Sequence, residues 1–246
     1  MALHDIERIS RVLREDMRLE TLYSLCSAYG DATAALWLEH GQVQSLTYAD
    51  YARMTRNCAA AIRAAVDAPE GSFVGISMDT CKEWFPVFWG AIMAGYNTVL
   101  VDISLSDDMT NYLLRQSGAK ALISTKARAL ENGVLYVDLK TLMTAPAAQN
   151  APEGEFGNQV ALCTSGTTGT SRIFVYEGRA VIEQVLSSEL LYQANRRIVE
   201  NEHRRALAFL PYHHVFGFMA NLMWINFLGY ANIYLPNRTP QAILET

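Results

Sequence analysis

The chain has 246 residues, of which 50% are hydrophobic and 18% are charged, and its formal net charge is −5. This composition excludes a disordered or collagen-like chain and allows one large domain or two small ones. A negative charge without a basic stripe also disfavours nucleic-acid binding, which depends on the neutralisation of phosphates.

The N-terminus and the cysteines favour a reducing compartment. Residues 1–20 mix acidic and basic side chains and contain no apolar segment, so they predict a charged amphipathic helix and not a signal peptide. The four cysteines, at positions 26, 58, 81 and 163, form no Cys-x-x-Cys pair and have no histidine at metal-ligand spacing. We therefore expect buried, reduced cysteines, no metal site and a cytoplasmic protein.

The first predicted elements are a β-hairpin and an amphipathic helix. Two β-type runs around a glycine turn predict the hairpin at 33–46. Thr47 then begins a helix over 48–66, with Asp50 three residues later in the position of a capping box. A short buried strand is expected at 73–78.

The next segment is a helix that is apolar on nearly all sides. It is expected to begin at Thr80 and to end at Gly95, with Pro86 in its first turn or at a kink and with its tryptophans and phenylalanines in the core. Beyond it the pattern predicts a strand at 98–101, a helix capped at Ser106 that runs to Ser117 with Gly118 as its left-handed stop, and a strand at 121–124.

The second half of the chain begins with a loop-rich stretch at 145–158. A long helix at 179–200 should bury an apolar side that includes Ile182, Val185 and Leu190. The remaining predicted elements are strands at 159–163, 173–176, 206–210 and 230–235, a helix near 217–228 and a last helix opened by Pro240. Strands that alternate with helices predict an α/β layered fold with largely parallel pairing.

One stretch, 206–237, has no formally charged side chain, so a membrane-spanning helix has to be considered. Asn221, Asn226 and Asn232 interrupt its apolar run, and Gly229 would end a helix. We expect a central soluble helix followed by a buried strand, and no membrane span.

The stretch 163–172 carries the clearest functional signal. Four hydroxyl residues and two glycines occupy 164–169, and Arg172 follows. A strand–loop–strand of this composition predicts a nest of backbone and hydroxyl donors for an anion, above all phosphate; the alternative is a solvated hairpin loop. The stretch is not a Walker A sequence, and it is not the Gly-x-Ser-x-Gly of a hydrolase, because Cys163 stands where glycine would be required.

The loop resembles the phosphate-binding signature of the adenylate-forming (AMP-binding) superfamily, Thr/Ser-Ser-Gly-Thr-Thr-Gly-x-Pro-Lys. Ser171 and Arg172 stand where the family has proline and lysine. The resemblance implies a layered α/β/α/β/α large N-terminal domain, of which residues 1–246 would be an incomplete portion without the C-terminal lid domain. It also implies that ATP phosphates are bound by Thr164, Ser165, Gly166, Thr167, Thr168, Gly169 and Arg172.

A second segment, 210–217, resembles the family's Pro-x-x-His-x-x-Gly, which lines the acyl pocket. The resemblance places His214 at the catalytic position, while His213 is interpreted as structural. Adenylation domains for amino acids usually carry an aromatic-Asp pair here that binds the substrate amine, and this chain has none. An apolar or aromatic acid is therefore the expected substrate.

The resemblance implies an AMP-forming ligase of the acyl-CoA synthetase type, with a place in fatty-acid metabolism. Its cofactors would be ATP, Mg²⁺ with ligands mostly outside this chain, and coenzyme A (or a carrier-protein thiol) as acyl acceptor. We expect the isolated chain to be inactive in ATP–pyrophosphate exchange. Two alternatives are a non-catalytic nucleotide-binding module with the same fold and a hydrolase that uses Ser165 and His214.

Overall fold

The computed structural model describes residues 6–148, 150–164, 171–195 and 204–235. The first half contains α1 (Ile6–Glu15), α2 (Leu19–Ser27), β1 (Thr33–Glu39), β2 (Gln42–Thr47), α3 (Tyr48–Ala65), β3 (Phe73–Ser77), α4 (Trp84–Met93), β4 (Asn97–Leu100), α5 (Asp107–Ser117) and β5 (Ala121–Ser124). The second half contains β6 (Leu135–Asp138), α6 (Leu139–Met143), β7 (Gln159–Thr164), β8 (Arg172–Glu177), α7 (Gly178–Ala194), β9 (Arg205–Ala208), α8 (Val215–Gly217), a π-helix (Phe218–Ile225) and β10 (Ala231–Tyr234).

These strands form two mixed sheets, with the orders β2-β1-β10-β9 and β6-β5-β3-β4-β7-β8. Every pairing is parallel except β1 with β2 and β7 with β8. The α/β fold with largely parallel strands is therefore confirmed. Both antiparallel pairs are hairpins whose strands follow each other directly in the chain, as short connections require.

The larger sheet is covered on both faces at its central strands β3, β4, β5 and β7, which explains why these strands are largely apolar. Val99 and Ala161 point to one face, where they pack with Leu113 and Leu114 of α5. The residues next to them in the strands, such as Leu100, point to the opposite face and join the main core with α3, α4 and α7. Alternate side chains of a strand point to opposite faces, so burial of both faces requires an unbroken apolar run.

Helix α3 begins where the sequence places it. The Thr47 hydroxyl accepts from the Asp50 N–H (3.1 Å), and an Asp50 carboxylate oxygen accepts from the Thr47 N–H (3.1 Å), so the capping box is present. These hydrogen bonds, first the one from the Thr47 N–H, hold the pKa of Asp50 below its usual range. The ionised carboxylate is thus the form that stabilises the helix.

Removal of this cap is expected to have a pH-dependent cost. Asp50→Ala should lower the free energy of unfolding by about 1 kcal/mol at pH 7, because the Thr47 N–H and the Thr47 hydroxyl lose their carboxylate acceptor. The pKa of the Asp50 carboxyl is lower in the folded state than in the unfolded state. Its contribution to the free energy of unfolding is therefore fully present above the unfolded-state pKa of about 3.9, and it is lost as the pH falls through the folded-state pKa. Urea unfolding of Asp50→Ala and the wild type at pH 7 and at pH 3 measures the loss of stability and its decrease at low pH. Glu39→Ala at the end of β1 is the control, and equal stability of Asp50→Ala and the wild type at pH 7 would refute the role.

Helix α4 differs from the prediction at its N-terminus. It begins at Trp84 and not at Thr80, because the Thr80 hydroxyl donates to the Leu210 carbonyl (2.9 Å) and does not cap the helix. Pro86 therefore lies in the first turn, where its missing N–H costs nothing. All ten residues of α4 are buried, as expected for its aromatic side chains.

Other predictions need correction. Strand β6 and helix α6 were not predicted, and Leu190, expected on the buried side of α7, is 72% exposed. Glu189 is buried instead, because Arg14 of the N-terminal helix α1 donates to its carboxylate (2.6 Å). Cys81 and Cys163 are only half-buried. Residues 196–200 of the long helix, and the helix expected after Pro240, lie outside the described residues.

The uncharged stretch folds as a π-helix and a buried strand. Within it, the Asn226 amide donates to the Leu222 carbonyl (2.9 Å), and the Asn221 amide donates to the Leu207 carbonyl (3.2 Å). The buried asparagines thus satisfy polar groups inside the core, as buried polar groups must. None of the helices in the described part of the chain has the length and apolar character needed to cross a membrane.

Candidate functional site

The predicted strand–loop–strand at 163–172 is confirmed at its two ends, where β7 and β8 form an antiparallel pair. Thr164, the last residue of β7, pairs directly with Arg172, the first residue of β8, and both are exposed. Within the described ranges Arg172 has no ion-pair partner, so its guanidinium remains available to an anion at the loop. The other predicted phosphate-binding residues lie outside the described residues: Ser165, Gly166, Thr167, Thr168 and Gly169.

Cys163 lies beside this loop and is a poor candidate for a nucleophile. Burial raises the pKa of its thiol to about 11. Because the thiolate is the reactive form, the side chain is almost entirely protonated at neutral pH. Cys163 therefore acts as a packing residue of β7.

The loop shares its edge of the sheet with Asp102. Strands β4 and β7 are parallel neighbours with Leu100 paired to Leu162, and Asp102 and Thr164 each come two residues later. Asp102 therefore follows the carboxyl end of β4 next to the start of the loop. Ligand sites in open α/β sheets form at this edge, because loops of several strands meet there.

The segment 210–217 is held by close packing at its two ends. Thr80 donates to the Leu210 carbonyl, and the ring of the fully buried Tyr212 lies 5.8 Å from that of Trp84. A Cβ on Gly217 would lie 2.1 Å from the Pro211 carbonyl oxygen. Only glycine therefore permits this approach of the chain to itself, which gives the Pro-x-x-His-x-x-Gly pattern a structural reason.

His214 lies in the middle of this turn and presents an exposed imidazole. The backbone N–H of His214 donates to the Pro211 carbonyl (3.1 Å), and the backbone carbonyl of His214 accepts from the Phe218 N–H (2.9 Å). The imidazole does not cap the following helix. The backbone is thus fixed on both sides while the side chain remains available for a ligand.

His213, interpreted from the sequence as structural, belongs to a polar cluster with His214 and Asp102. Its Nε2 lies 3.5 Å from an Asp102 carboxylate oxygen, and the two imidazole rings are 4.4 Å apart. Burial alone would raise the pKa of Asp102, but the Ser104 N–H and the two imidazoles outweigh it and hold the pKa below its usual range. Asp102 therefore carries a full negative charge beside the histidines at neutral pH.

Sequence reasoning did not single out Asp102. The available signal was an acidic residue directly after the strand predicted at 98–101, a position that often belongs to a site. That signal is weak, because 111 positions separate Asp102 from His213 and no spacing rule connects them. Only the packing of the segment 210–217 against the end of β4 brings them together.

A cavity of about 420 Å³ opens beside this segment. It lies between strands β7 and β8, helix α7 and the start of the π-helix, and no lining residue is formally charged. The lining includes Val160, Leu162, Tyr176, Val181, Phe216 and Met219. Its volume and apolar character suit the hydrocarbon part of a small organic acid.

The described residues supply groups that bind the phosphates of a nucleoside triphosphate, but they do not supply the ligands that its magnesium ion prefers. The Thr164 hydroxyl and the Arg172 guanidinium are donors of the kind that bind phosphate oxygens. The cluster of Asp102, His213 and His214 supplies two imidazoles, whereas Mg²⁺ prefers an all-oxygen shell. We therefore assign no magnesium ligand among the described residues.

Comparison with known structures shows the fold. The chain is similar to the nonribosomal peptide synthetase FmoA3 with AMPPNP bound, at a TM-score of 0.74 and 19% identity over 93% of this chain and 24% of that one. It is also similar to the N-terminal subdomain of NpsA from Klebsiella oxytoca in complex with 3-hydroxybenzoyl-AMSN (TM-score 0.75, 16% identity, 93% of this chain and 56% of that one).

A third similar structure is O-succinylbenzoate coenzyme A synthetase (MenE) from Bacillus subtilis with ATP and magnesium ion, at a TM-score of 0.73 and 20% identity over 91% of this chain. The chain spans 59% of that protein, and thus less than two thirds of each of these relatives. No curated protein matches the chain. The family model described as AMP-binding enzyme matches residues 24–246. The chain therefore belongs to the AMP-binding, adenylate-forming enzyme family.

Proposed function

We propose that the chain is the N-terminal part of an AMP-forming acyl-CoA synthetase that activates a small apolar or aromatic carboxylic acid. The observation that carries the proposal is that Arg172 and an uncharged cavity adjoin β7, while His214 lies in the cluster with Asp102, which follows the neighbouring strand β4. The proposed reaction requires a cation that binds the phosphates, a polar group that binds the carboxylate and an apolar cavity that holds the rest of the acid.

In the proposed reaction a carboxylate oxygen attacks the α-phosphorus of ATP and pyrophosphate leaves. A thiol sulfur then attacks the acyl carbon and AMP leaves. Arg172 and the donors of the loop, from Thr164 to Gly169, bind the β- and γ-phosphates and neutralise part of their charge. His214 binds the carboxylate of the acid, and the cavity, which the next residues Val215 and Phe216 help to line, holds its hydrocarbon part.

The cavity supports an apolar acid over an amino acid. Binding of an α-ammonium group in a cavity requires a carboxylate partner, because an isolated buried charge is costly. None of the described residues around this cavity is a carboxylate. The acceptor is proposed to be coenzyme A, with a carrier-protein thiol as the other source of the same chemistry; one of the similar structures is itself named a coenzyme A synthetase.

The test is ATP–pyrophosphate exchange with the whole polypeptide that contains this chain. Benzoate, octanoate and a mixture of amino acids serve as substrates, and mass spectrometry then detects thioesters after addition of coenzyme A. We expect exchange with benzoate or octanoate and a coenzyme A thioester. Exchange with amino acids alone would contradict the substrate class. ATP binding without any exchange would support a non-catalytic module.

A further inference from the structure

Asp102, His213 and His214 bring three metal-ligating side chains to one point, which no spacing in the sequence indicated. One donor atom from each residue lies within 4.8 Å of the donors of the other two. Asp102 follows β4, whereas the two histidines lie in the turn that leads into α8. The cluster therefore depends on the tertiary fold.

The separation between Asp102 and His213 suits a bridging metal ion better than a hydrogen bond. Their carboxylate oxygen and Nε2 are 3.5 Å apart, which is long for a hydrogen bond between charged groups. Two ligand atoms that each lie about 2.1 Å from a tetrahedral metal ion are separated by about 3.4 Å. These two donors thus already stand at the distance that a shared metal ion requires.

The surroundings orient the ligands as in known metal sites. The second carboxylate oxygen of Asp102 accepts from the Ser104 N–H (2.8 Å), so the first is turned toward His213. The His213–His214 backbone is held by the buried Tyr212 on one side and by the hydrogen bond from the Phe218 N–H on the other. The imidazole of His214 is exposed, and one of its ring nitrogens lies within 4.8 Å of the donor atoms of Asp102 and His213.

We propose that Asp102, His213 and His214 form a binding site for one divalent transition-metal ion of the Zn²⁺ class, with a fourth position open to water or an anion. Two imidazoles and one carboxylate are ligands for Zn²⁺, Co²⁺ or Ni²⁺, whereas Mg²⁺ and Ca²⁺ require more oxygens. Three protein ligands with an open fourth position are the pattern of accessible zinc sites. The metal site shares His214 with the proposed carboxylate site, but its test does not rest on the acyl-CoA synthetase assignment, because the test uses neither ATP nor an acid.

The test uses the purified metal-free chain without a histidine tag. Equilibrium dialysis measures the binding of Zn²⁺, and visible absorption reports four-coordinate Co²⁺. We expect one ion per chain, which excess Mg²⁺ does not displace. Asp102→Asn keeps the acceptor for Ser104 but removes the charge, and His214→Ala removes the exposed imidazole. Each should weaken Zn²⁺ binding at least about tenfold.

The matched control is His40→Gln, which removes an exposed histidine in the hairpin turn between β1 and β2. It should bind Zn²⁺ like the wild type. Circular dichroism and urea unfolding verify that Asp102→Asn and His214→Ala remain folded. If both variants bind Zn²⁺ with wild-type affinity, the ion binds elsewhere and is an adventitious ion only. If the wild type does not bind one ion per chain, the proposed site does not exist.

Discussion

Arg172→Ala is expected to weaken ATP binding by about 10- to 100-fold. A hydrogen bond that involves a charged group contributes about 1.5–3 kcal/mol, and each 1.4 kcal/mol changes a dissociation constant tenfold. Arg172 lies at the base of the hairpin loop, exposed and paired across the sheet with Thr164. Its guanidinium therefore belongs to the first residue of β8, directly after the predicted phosphate-binding loop. Equilibrium dialysis of ATP against the purified chain gives the dissociation constants.

Two further variants separate a specific contact from a general effect of charge. Arg172→Lys keeps the cation that related sequences place here, so it should retain most of the affinity. Arg179→Ala removes an exposed arginine of α7 that pairs with Glu183 one turn later, and it should bind ATP like the wild type. Equal ATP affinity of Arg172→Ala and the wild type would rule out the phosphate role.

Gly217→Ala is expected to lower the free energy of unfolding by about 3 kcal/mol. The added Cβ would lie 2.1 Å from the Pro211 carbonyl oxygen and 2.7 Å from its carbon, so backbone has to move. The Pro211 carbonyl also accepts from the His214 N–H, so the same movement displaces the imidazole. Urea unfolding measures the first effect, and the NMR shifts of the His214 ring measure the second.

The control for this substitution lies two residues earlier in the same turn. Val215 is 57% exposed, so Val215→Ala should change stability by less than about 0.5 kcal/mol. A Gly217→Ala variant as stable as the wild type, with an unshifted His214, would show that the turn tolerates a Cβ. The close approach would then not be the reason for glycine at this position.

Local patterns predicted the elements well where one residue type decides the conformation. The capping box of Thr47 and Asp50 and the end of α5 at Gly118 in the left-handed conformation were both read from the sequence, because each depends on atoms within four residues. The start of α4 was predicted wrongly because Thr80 has two possible partners. Its hydroxyl bonds to Leu210, 130 residues away, and no local rule includes that competitor.

The π-helix shows the same limit. Its apolar residues predicted a buried helix, and the segment is helical and buried. The wider turn of a π-helix was not predicted, because apolar spacing alone does not specify which carbonyl each N–H will meet. Glu189 is a similar case, since its burial depends on Arg14 of a distant helix.

By itself, the sequence determined the fold class and predicted an anion-binding loop, because strand and helix periodicity and the composition of 163–172 are local properties. It also predicted His214 as a site residue through the Pro-x-x-His-x-x-Gly pattern, whose glycine is required by a contact only six residues away. The tertiary structure alone decided that Asp102 and His213 join His214, and that an uncharged cavity lies beside them. Those relations depend on which strand ends become neighbours in the sheet, and this follows from the packing of the whole chain.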